Sequence, residues 1–203
     1  MKKPTNNNYP IGDLFIQRWS PRAYSEKSVE KEKLQSIFEA ARWAPSARNE
    51  QPWRFIAGQK GDGTWEKIFK SLVEWNQQWT FRAPVLILNI GKKFYDYKHL
   101  ENDTYQYDTG QAVAMMVTEA VNQELIGHQM SGFDPAKAIE LFEIPEDYQP
   151  ISVTAFGYYG NPELLPNDVK KSEFEERKRR TLDKTVFSGK FGDASDLTGS
   201  QTT

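Results

Sequence analysis

Arginine and serine side chains stand close together near the start of the chain. Arg18, Ser20 and Arg22 alternate with Trp19 and Pro21. An arginine offers a planar fork of donors that matches the oxygens of a phosphate, and a serine hydroxyl adds another donor. The same residue types are typical of a solvated surface turn. The spacing therefore indicates either a site for a phosphate group or an exposed turn.

A polar loop at residues 44–53 follows one predicted helix later. Pro45 and Pro52 fix their own φ and restrict the residues before them, so the loop has few available conformations. Ser46, Asn49 and Gln51 supply hydrogen-bond donors and acceptors. A stiff loop can present such groups to a flat polar ligand at little entropic cost. A plain connection between a helix and a strand has the same composition, and that alternative stays open at this point.

Hydrophobic periodicity predicts the elements that position these two segments. Ser28 is expected to be the N-cap of a helix that ends at the polar loop, and Asp134 followed by Pro135 predicts another helix start. A nearly continuous apolar run predicts one buried strand. In chain order we predict a helix from residue 28 to the loop, a strand at 53–57, a helix at 65–73, a buried strand at 83–90, a long helix at 108–125, a helix beginning at 134 and a strand at 151–157.

Charged and aromatic segments connect or follow these elements. Residues 92–107 have no clear period and predict a loop or lid. Residues 170–176 predict a solvated helix with paired charges. The four consecutive cations at 177–180 repel one another unless an anion or an acidic partner is near. Residues 193–203 are rich in Ser, Thr, Gly and Asp and predict a flexible tail.

The composition is that of one ordinary globular domain. The chain has 203 residues, of which 38% are hydrophobic, and its net charge is −2. This length suffices for one sizeable core, which we place at residues 1–192. The charge balance and the single short basic run predict no nucleic-acid partner and no membrane partner. No signal peptide is evident at the start and no run is long enough to span a membrane, so a cytoplasmic location is expected.

Several kinds of catalytic centre lack their residues in this sequence. The absence of cysteine excludes disulfides, thiolate metal sites and cysteine nucleophiles. Neither a G-x-S-x-G nucleophile elbow nor an H-E-x-x-H metal helix is present, so hydrolase and zinc-site interpretations lack their residues and no metal is predicted. Of the two histidines, His99 and His128, the second is expected to be a packed, hydrogen-bonded imidazole rather than a proton donor.

Together and in this order, the motifs resemble the FMN-dependent nitroreductase family. Its R-x-S-x-R element is matched by Arg18, Ser20 and Arg22, and its A-P-S-x-x-N-x-Q-P-W loop by residues 44–53. Residues 108–112 resemble the start of the family's central helix, and residues 126–134 resemble its glycine-containing flavin turn. Residues 157–160 and 179–192 are similar to its strand-ending element and its C-terminal arm. The resemblance covers most of the chain.

The resemblance implies an α+β, nitroreductase-like fold with a mostly antiparallel central sheet wrapped by helices. It implies a homodimer with FMN sites at the subunit interface and a C-terminal arm that extends onto the partner. It also implies an oxidoreductase that passes hydride from NAD(P)H through flavin N5 to nitroaromatic, quinone or related acceptors by a ping-pong mechanism. FMN carries the chemistry, so no catalytic side chain is expected. A flavin-binding or partner-binding protein without turnover, and a dehalogenase or flavin-fragmenting enzyme of the same superfamily, are the alternatives.

The resemblance also assigns roles to individual residues. The first segment and a C-terminal arginine would hold the phosphate and ribityl chain of FMN. The polar loop would contact the flavin of the other subunit. A third set of residues would line the flavin ring. Asn76 resembles the amide that faces the pyrimidine edge, although a helix-end cap explains it equally well. The expected contacts are Arg18, Trp19, Ser20, Arg22, Arg179 and Arg180; Pro45, Ser46, Ala47 and Asn49; and Asn76, Met130, Ser131 and Gly132.

Two positions depart from the family pattern. Many relatives carry an acidic residue where Ser131 stands. The reduction potential of the flavin, or the preference for one hydride donor, can therefore differ from that of those relatives. Thr181 replaces the usual proline, which leaves Arg179 and Arg180 as alternative phosphate ligands.

Overall fold

Four strands form one antiparallel sheet in the computed structural model, which describes residues 3–198. The strands are β1 (Trp53–Gln59), β2 (Val85–Lys92), β3 (Ile126–Met130) and β4 (Tyr148–Gly157), in the spatial order β1-β2-β4-β3. β1 and β3 are therefore the two edges of the sheet. Every strand pair is antiparallel, and the register between β2 and β4 shifts once, at Asn89 and Ile90, where β4 carries one extra residue, Ile151. The predicted α+β class with an antiparallel sheet is confirmed.

Helices cover both faces of the sheet. β2 is buried over nearly its whole length because apolar residues alternate onto both faces. Trp65, Ile68, Leu86 and Leu88 belong to one hydrophobic core, and Ile37, Ile87, Met116 and Val117 to the other. Among the described residues the helices are α1 (Asp13–Gln17), α2 (Lys31–Arg42), α3 (Gly63–Ser71), α4 (Glu74–Thr80), α5 (Tyr105–Asn122), α6 (Pro135–Phe142) and α7 (Asn167–Phe174), with 3₁₀ turns at Ala47–Asn49, Pro162–Leu164, Leu182–Lys184 and Asp196–Thr198.

Local signals predicted some boundaries well and others poorly. Asp134 caps α6 as expected, because its side chain accepts a hydrogen bond from the main-chain N–H of Lys137. The N-cap predicted at Ser28 is wrong: α2 is preceded by Glu30, which makes no side-chain capping bond. Residues 126–130 of the predicted flavin turn form strand β3 instead, because they pair with β4 and complete the sheet edge. The helices α1 and α4 were not predicted, since each spans two turns or fewer.

The C-terminal segment after α7 has little regular structure but makes ordered contacts. The Ser195 N–H donates to the Val186 carbonyl at 3.1 Å, and the Tyr9 hydroxyl donates to the Thr198 carbonyl. The division into a domain at 1–192 and a flexible tail from 193 stays a prediction, and residues 199–203 of that tail lie outside the described residues. No helix between residues 3 and 198 is long and apolar enough to cross a membrane. The expected cytoplasmic location stays a prediction.

Candidate functional site

Arg18, Ser20 and Arg22 lie in an extended segment that begins where α1 ends. Arg18 is the C-cap of α1 with extended backbone angles, so the chain leaves the helix at this residue. Its Nη1 lies 3.4 Å from the Ser20 hydroxyl oxygen. Trp19 is buried between the two polar positions, with the Lys3 ammonium 4.6 Å from its ring centroid. The alternation places Arg18 and Ser20 on the outer side and Trp19 on the core side.

Two arginines of the C-terminal basic run approach the same segment. Arg177 donates through Nη1 to the Ile16 carbonyl at 2.5 Å. Burial lowers the pKa of Arg177, and the charges of Arg18 and Arg179 lower it further. Burial and then the charge of Arg179 lower the pKa of Arg18 in the same way. We name Arg18, Arg22, Arg177 and Arg179 the arginine cluster. Arg180 is exposed, and its charge is not among those that shift the pKa values of Arg18 and Arg177.

The side chains of the arginine cluster have no carboxylate partner between residues 3 and 198. Within the part of the chain that the structure describes, none of its four guanidinium groups forms an ion pair. The Nε of Arg22 is buried and has no hydrogen-bond partner there. An unpaired donor in such a position is costly, and like charges held close together are stabilised by an anion. The cluster therefore has the charge and the spare donors of an anion-binding site.

Buried groups hold the main chain on both sides of Arg22. His128, on the edge strand β3, bonds through Nδ1 to the Pro21 carbonyl at 3.0 Å, and its ring lies 4.6 Å from that of Trp79. The predicted packed, hydrogen-bonded imidazole is confirmed. Burial is the main cause that lowers its pKa to about 4, and the charge of Arg22 adds to it. His128 thus stays neutral beneath the arginine cluster.

Glu173 lies on the other side of the same segment. It is fully buried on α7, and its carboxylate oxygens accept the main-chain N–H groups of Arg22 at 2.8 Å and Ala23 at 3.3 Å. Burial and then Glu173 raise the pKa of the Tyr159 hydroxyl to about 12. The prediction of a solvated helix at 170–176 is wrong for this residue. Glu173 stands four positions after the buried Val169, and that spacing is the signal that could have placed it on the inner face.

The polar loop lies at the opposite edge of the sheet, where it runs into β1. Arg48, Asn49 and Gln51 all have φ between 51° and 57°, a left-handed conformation that non-glycine residues seldom adopt. Side chains fix this backbone: the Ser46 hydroxyl accepts the Gln51 N–H at 3.0 Å. The Ala47 N–H donates to the carboxylate of Asp108 at 3.1 Å, on the first turn of α5. The loop is therefore built to expose a defined backbone shape.

A hairpin supports the polar loop from outside. Residues 92–107 were predicted as a loop or lid, but a bridge between Phe94 and Glu101 folds their middle back on itself. The Asp96 N–H donates to the Glu50 carboxylate at 2.6 Å. The Arg48 guanidinium lies 5.4 Å from the centroid of the Tyr95 ring. α5 begins at Tyr105, so the last residues of the predicted lid are helical.

A third group of expected contacts lies beyond the end of β3. Met130 is its last residue and is buried, whereas Ser131 is exposed. Asn76 lies in the first turn of α4, is buried, and donates its side-chain amide to the Gly132 carbonyl at 2.8 Å. A Cβ added to Gly132 would lie 2.6 Å from that amide nitrogen, so any larger residue would displace the Asn76 amide. The structure brings these residues together, and their contact with a flavin stays a prediction.

The arginine cluster and the polar loop do not meet within one chain. His128 ties the cluster to β3, and the loop leads into β1, the other edge. Three inter-strand spacings separate these edges, which is about 14 Å. In the described residues no hydrogen bond or ion pair joins segment 18–22 to segment 45–51. The fold and the site thus define an α+β protein with an arginine cluster at one sheet edge and a conformationally fixed loop at the other.

Comparison with known proteins agrees with this description. The model of the Nitroreductase family matches residues 16–74 and 58–158, and the chain belongs to that family. A relative from Archaeoglobus fulgidus, named "Putative NADH dehydrogenase/NAD(P)H nitroreductase", is 30% identical over 150 residues, which are 71% of this chain and 83% of the relative. A Streptomyces coelicolor protein of the same description is 26% identical over 170 residues, covering 73% and 83%. A solved structure described as an oxidoreductase containing FMN aligns with a TM-score of 0.88 and 32% identity, covering 93% of this chain and 96% of that one.

These findings establish the coarse function. The chain is a nitroreductase-family oxidoreductase with the fold of flavin-containing proteins. The family match ends at residue 158, so the basic run at 177–180 lies beyond the family model and its role rests on the geometry above.

Proposed function

We propose that the protein binds FMN and transfers hydride from NAD(P)H to a nitroaromatic, quinone or related small acceptor by a ping-pong mechanism. The arginine cluster is the observation that supports this proposal most strongly. It offers cations without carboxylate partners and a buried Arg22 Nε without an acceptor. A phosphate monoester carries a charge of about −1.5 to −2 near neutral pH and three acceptor oxygens. The donor set therefore fits the phosphate of FMN.

Arg18, Ser20, Arg22 and Arg179 would hold the phosphate and ribityl chain. Arg179 is preferred over Arg180 because the charge of Arg179 is the one that shifts the pKa values of Arg18 and Arg177. When bound, FMN supplies the redox chemistry, since its ring takes up a hydride and gives it to the acceptor. The segment from Met130 to Gly132 would line the ring, and Asn76, which fixes the Gly132 carbonyl, would keep that lining in place.

The proposal includes a homodimer, in which the polar loop of one subunit reaches the cofactor held by the arginine cluster of the other. Pro45, Ser46, Ala47 and Asn49 would make these contacts. Two features support it: the separation of the two regions by the width of the sheet, and apolar surface on α5. Tyr107 is 71% exposed and Met115 is 38% exposed on the same helix.

The C-terminal segment is proposed to extend onto the partner subunit. Two large apolar side chains of this segment are almost fully exposed, Phe191 at 95% and Leu197 at 94%. Contact with a second copy of the chain would cover both. This is the arm implied by the family resemblance.

One preparation tests the central proposal. Purified protein is denatured, and the released flavin is measured by its absorbance; flavin-free protein is also titrated with FMN. NADH or NADPH is then added without oxygen, and we expect the flavin absorbance of the holoprotein to bleach. Protein that neither contains nor takes up FMN would contradict the proposal. A yellow protein that neither nucleotide bleaches would identify a flavin-binding protein without turnover.

Arg22→Ala tests the phosphate assignment. We expect FMN affinity to fall at least about tenfold, because a charge-assisted hydrogen bond contributes about 1.5–3 kcal/mol. Lys171→Ala is the matched control, since Lys171 is an exposed cation on α7 and its removal changes the net charge equally. Unchanged FMN affinity in Arg22→Ala would show that its assigned role is wrong.

A further inference from the structure

The Glu173 carboxylate is buried and accepts hydrogen bonds from two main-chain N–H groups. It is 0% exposed on α7, and it forms no ion pair among the described residues. Removing a carboxylate from water is expensive unless its oxygens are satisfied. Each of its two oxygens accepts one N–H, from Arg22 and from Ala23. A carboxylate whose burial is energetically costly therefore lies at the two peptide groups on either side of the Arg22 Cα.

The same peptides are held from the other side as well. The Ala23 carbonyl accepts the Gly160 N–H at 2.7 Å, and the Pro21 carbonyl is bonded to His128. Gly160 packs so closely on this segment that an added Cβ would lie 2.5 Å from the Tyr24 main chain. With Glu173 in place, the Pro21 carbonyl, the N–H groups of Arg22 and Ala23, and the Ala23 carbonyl have fixed partners. The direction in which the Arg22 side chain leaves the backbone is thereby set by the protein alone.

Glu173 also connects the two halves of the arginine cluster. α7 ends at Phe174, and Arg177 follows within one further turn of chain. Arg177 donates to the Ile16 carbonyl, so the segments 16–23 and 173–177 are joined at both ends. The Lys3 ammonium donates to the Glu173 carbonyl at 2.7 Å and adds a third segment to this junction.

We propose that Glu173 is a positioning residue for the FMN phosphate: it fixes the peptides of Arg22 and Ala23 so that the Arg22 guanidinium is oriented before the phosphate arrives. The inference rests on the proposed function, because it concerns the phosphate group of FMN. It assigns no contact between Glu173 and the cofactor. Its physical basis is preorganisation, in which the ordering of a donor is completed during folding instead of binding.

Charge and position make opposite predictions for this residue. A carboxylate near a phosphate site repels the phosphate, so neutralising Glu173 would strengthen FMN binding if only its charge mattered. If Glu173 positions Arg22, neutralising it weakens FMN binding. Glutamine has nearly the same shape, but its amide nitrogen cannot accept an N–H, so one of the two main-chain bonds is lost.

The experiment compares Glu173→Gln with Glu176→Gln. Glu176 is an exposed carboxylate three residues further on, so the control removes the same charge without a main-chain bond. Flavin-free proteins are titrated with FMN and with riboflavin, which lacks the phosphate. We expect Glu173→Gln to bind FMN at least about tenfold more weakly, the worth of one charge-assisted bond, and riboflavin unchanged. Glu176→Gln is expected to bind both like the wild type.

Three results would overturn the inference. FMN affinity that is unchanged or higher in Glu173→Gln contradicts positioning, and an equal loss of FMN and riboflavin affinity indicates a general structural role. Wild-type protein that binds neither flavin contradicts the proposed function itself, which separates the two failures. If Glu173→Gln does not fold, amide hydrogen exchange of the flavin-free wild-type protein tests the inference instead. Slow exchange at Arg22 and Ala23 before FMN is added supports the inference, and exchange that becomes slow only with FMN contradicts it.

Discussion

The arginine cluster and the polar loop are held by the same device, a buried carboxylate that accepts main-chain N–H groups. Glu173 is 0% exposed and serves the cluster, whereas Asp108 is 2% exposed and serves the loop. The difference lies in how the donors are shared between the two oxygens. Glu173 accepts one main-chain N–H on each oxygen. Asp108 accepts the Ala47 N–H and the Thr104 hydroxyl on the same oxygen, and only the Gln111 side-chain amide, at 3.5 Å, lies at the other.

The two regions also differ in the source of their shape. The segment at 18–22 has no positive φ and is ordered by contacts with β3 and α7, which are distant in sequence. The loop has left-handed residues and is ordered mainly by its own prolines, Ser46 and the adjacent hairpin. The arginine segment is thus fixed mainly by tertiary contacts, whereas the loop combines local bonds with distant contacts from Asp108 and the hairpin. Two independently fixed regions are what the proposed two-chain cofactor site requires.

Mixing two defective variants gives the largest expected effect. Arg22→Ala damages the cluster, and Ala47→Trp fills the space beside the loop. If each FMN site takes its cluster from one subunit and its loop from the other, a mixed dimer has one intact site. We expect each variant alone to retain almost no FMN, and the co-expressed pair to retain about a quarter of the wild-type amount, because half of randomly formed dimers are mixed.

The readout is the ratio of flavin to protein in the purified mixture. Ala47→Trp co-expressed with a second copy of itself is the control for expression level. A mixture that binds no more FMN than either variant alone would show that cluster and loop act in the same subunit.

His128 gives the next largest effect, through pH. Its pKa is about 4 in the fold, below the ordinary value of 6.5, first because of burial and then because of Arg22. Below about pH 6.5 the unfolded chain takes up a proton that the folded chain does not, so the free energy of unfolding falls as pH decreases toward 4. Between about pH 7 and pH 5 we expect a loss of about 2 kcal/mol from this residue in flavin-free protein.

Denaturant unfolding of wild type and His128→Asn at both pH values measures this loss. Asn is chosen because its amide can still donate to the Pro21 carbonyl, and the pH dependence of the variant should be flatter by that amount. Bound FMN should also flatten the wild-type profile, because the phosphate offsets the charges of Arg22 and Arg18. Equal pH dependence in both proteins would contradict the assigned pKa.

Much of the fold followed from local signals in the sequence. The continuous apolar run of β2 and the cap formed by Asp134 require only neighbouring residues, and both were predicted. β3 was mistaken for a turn because Gly127 and Gly132 suggested one. It is a strand because β4 offers a free edge, which is a property of the sheet and not of residues 126–130.

Sequence indicates the residues of the candidate site whose side chains face outward, but not those whose side chains face inward. The arginines of the cluster are ordinary candidates by residue type, although the family resemblance points to Arg179 and Arg180 and not to Arg177. Glu173 and Asp108 are carboxylates in segments of mixed charge or at a helix start, where solvated side chains are the usual expectation. Their roles depend on which N–H groups the fold brings to them, and that pairing spans 151 residues for Arg22 and Glu173.

Substitution of Asp108 gives the smallest effect and tests the comparison between the two carboxylates most directly. The Ala47 N–H and the Thr104 hydroxyl meet one oxygen, so the carbonyl of an asparagine can accept both, and only the long 3.5 Å bond from the Gln111 amide is lost. Asp108→Asn should therefore lower the free energy of unfolding by less than about 1 kcal/mol, the worth of a charge near a helix N-terminus. Asp108→Ala leaves the Ala47 N–H without a partner and should cost about 2 kcal/mol. In Glu173→Gln the side-chain carbonyl cannot accept both bonds, because the N–H groups of Arg22 and Ala23 meet different oxygens. Denaturant unfolding of the three variants should therefore show the smallest loss in free energy of unfolding for Asp108→Asn. An Asp108→Asn protein as unstable as Asp108→Ala would show that the charge of Asp108, and not the shared acceptor oxygen, holds the loop.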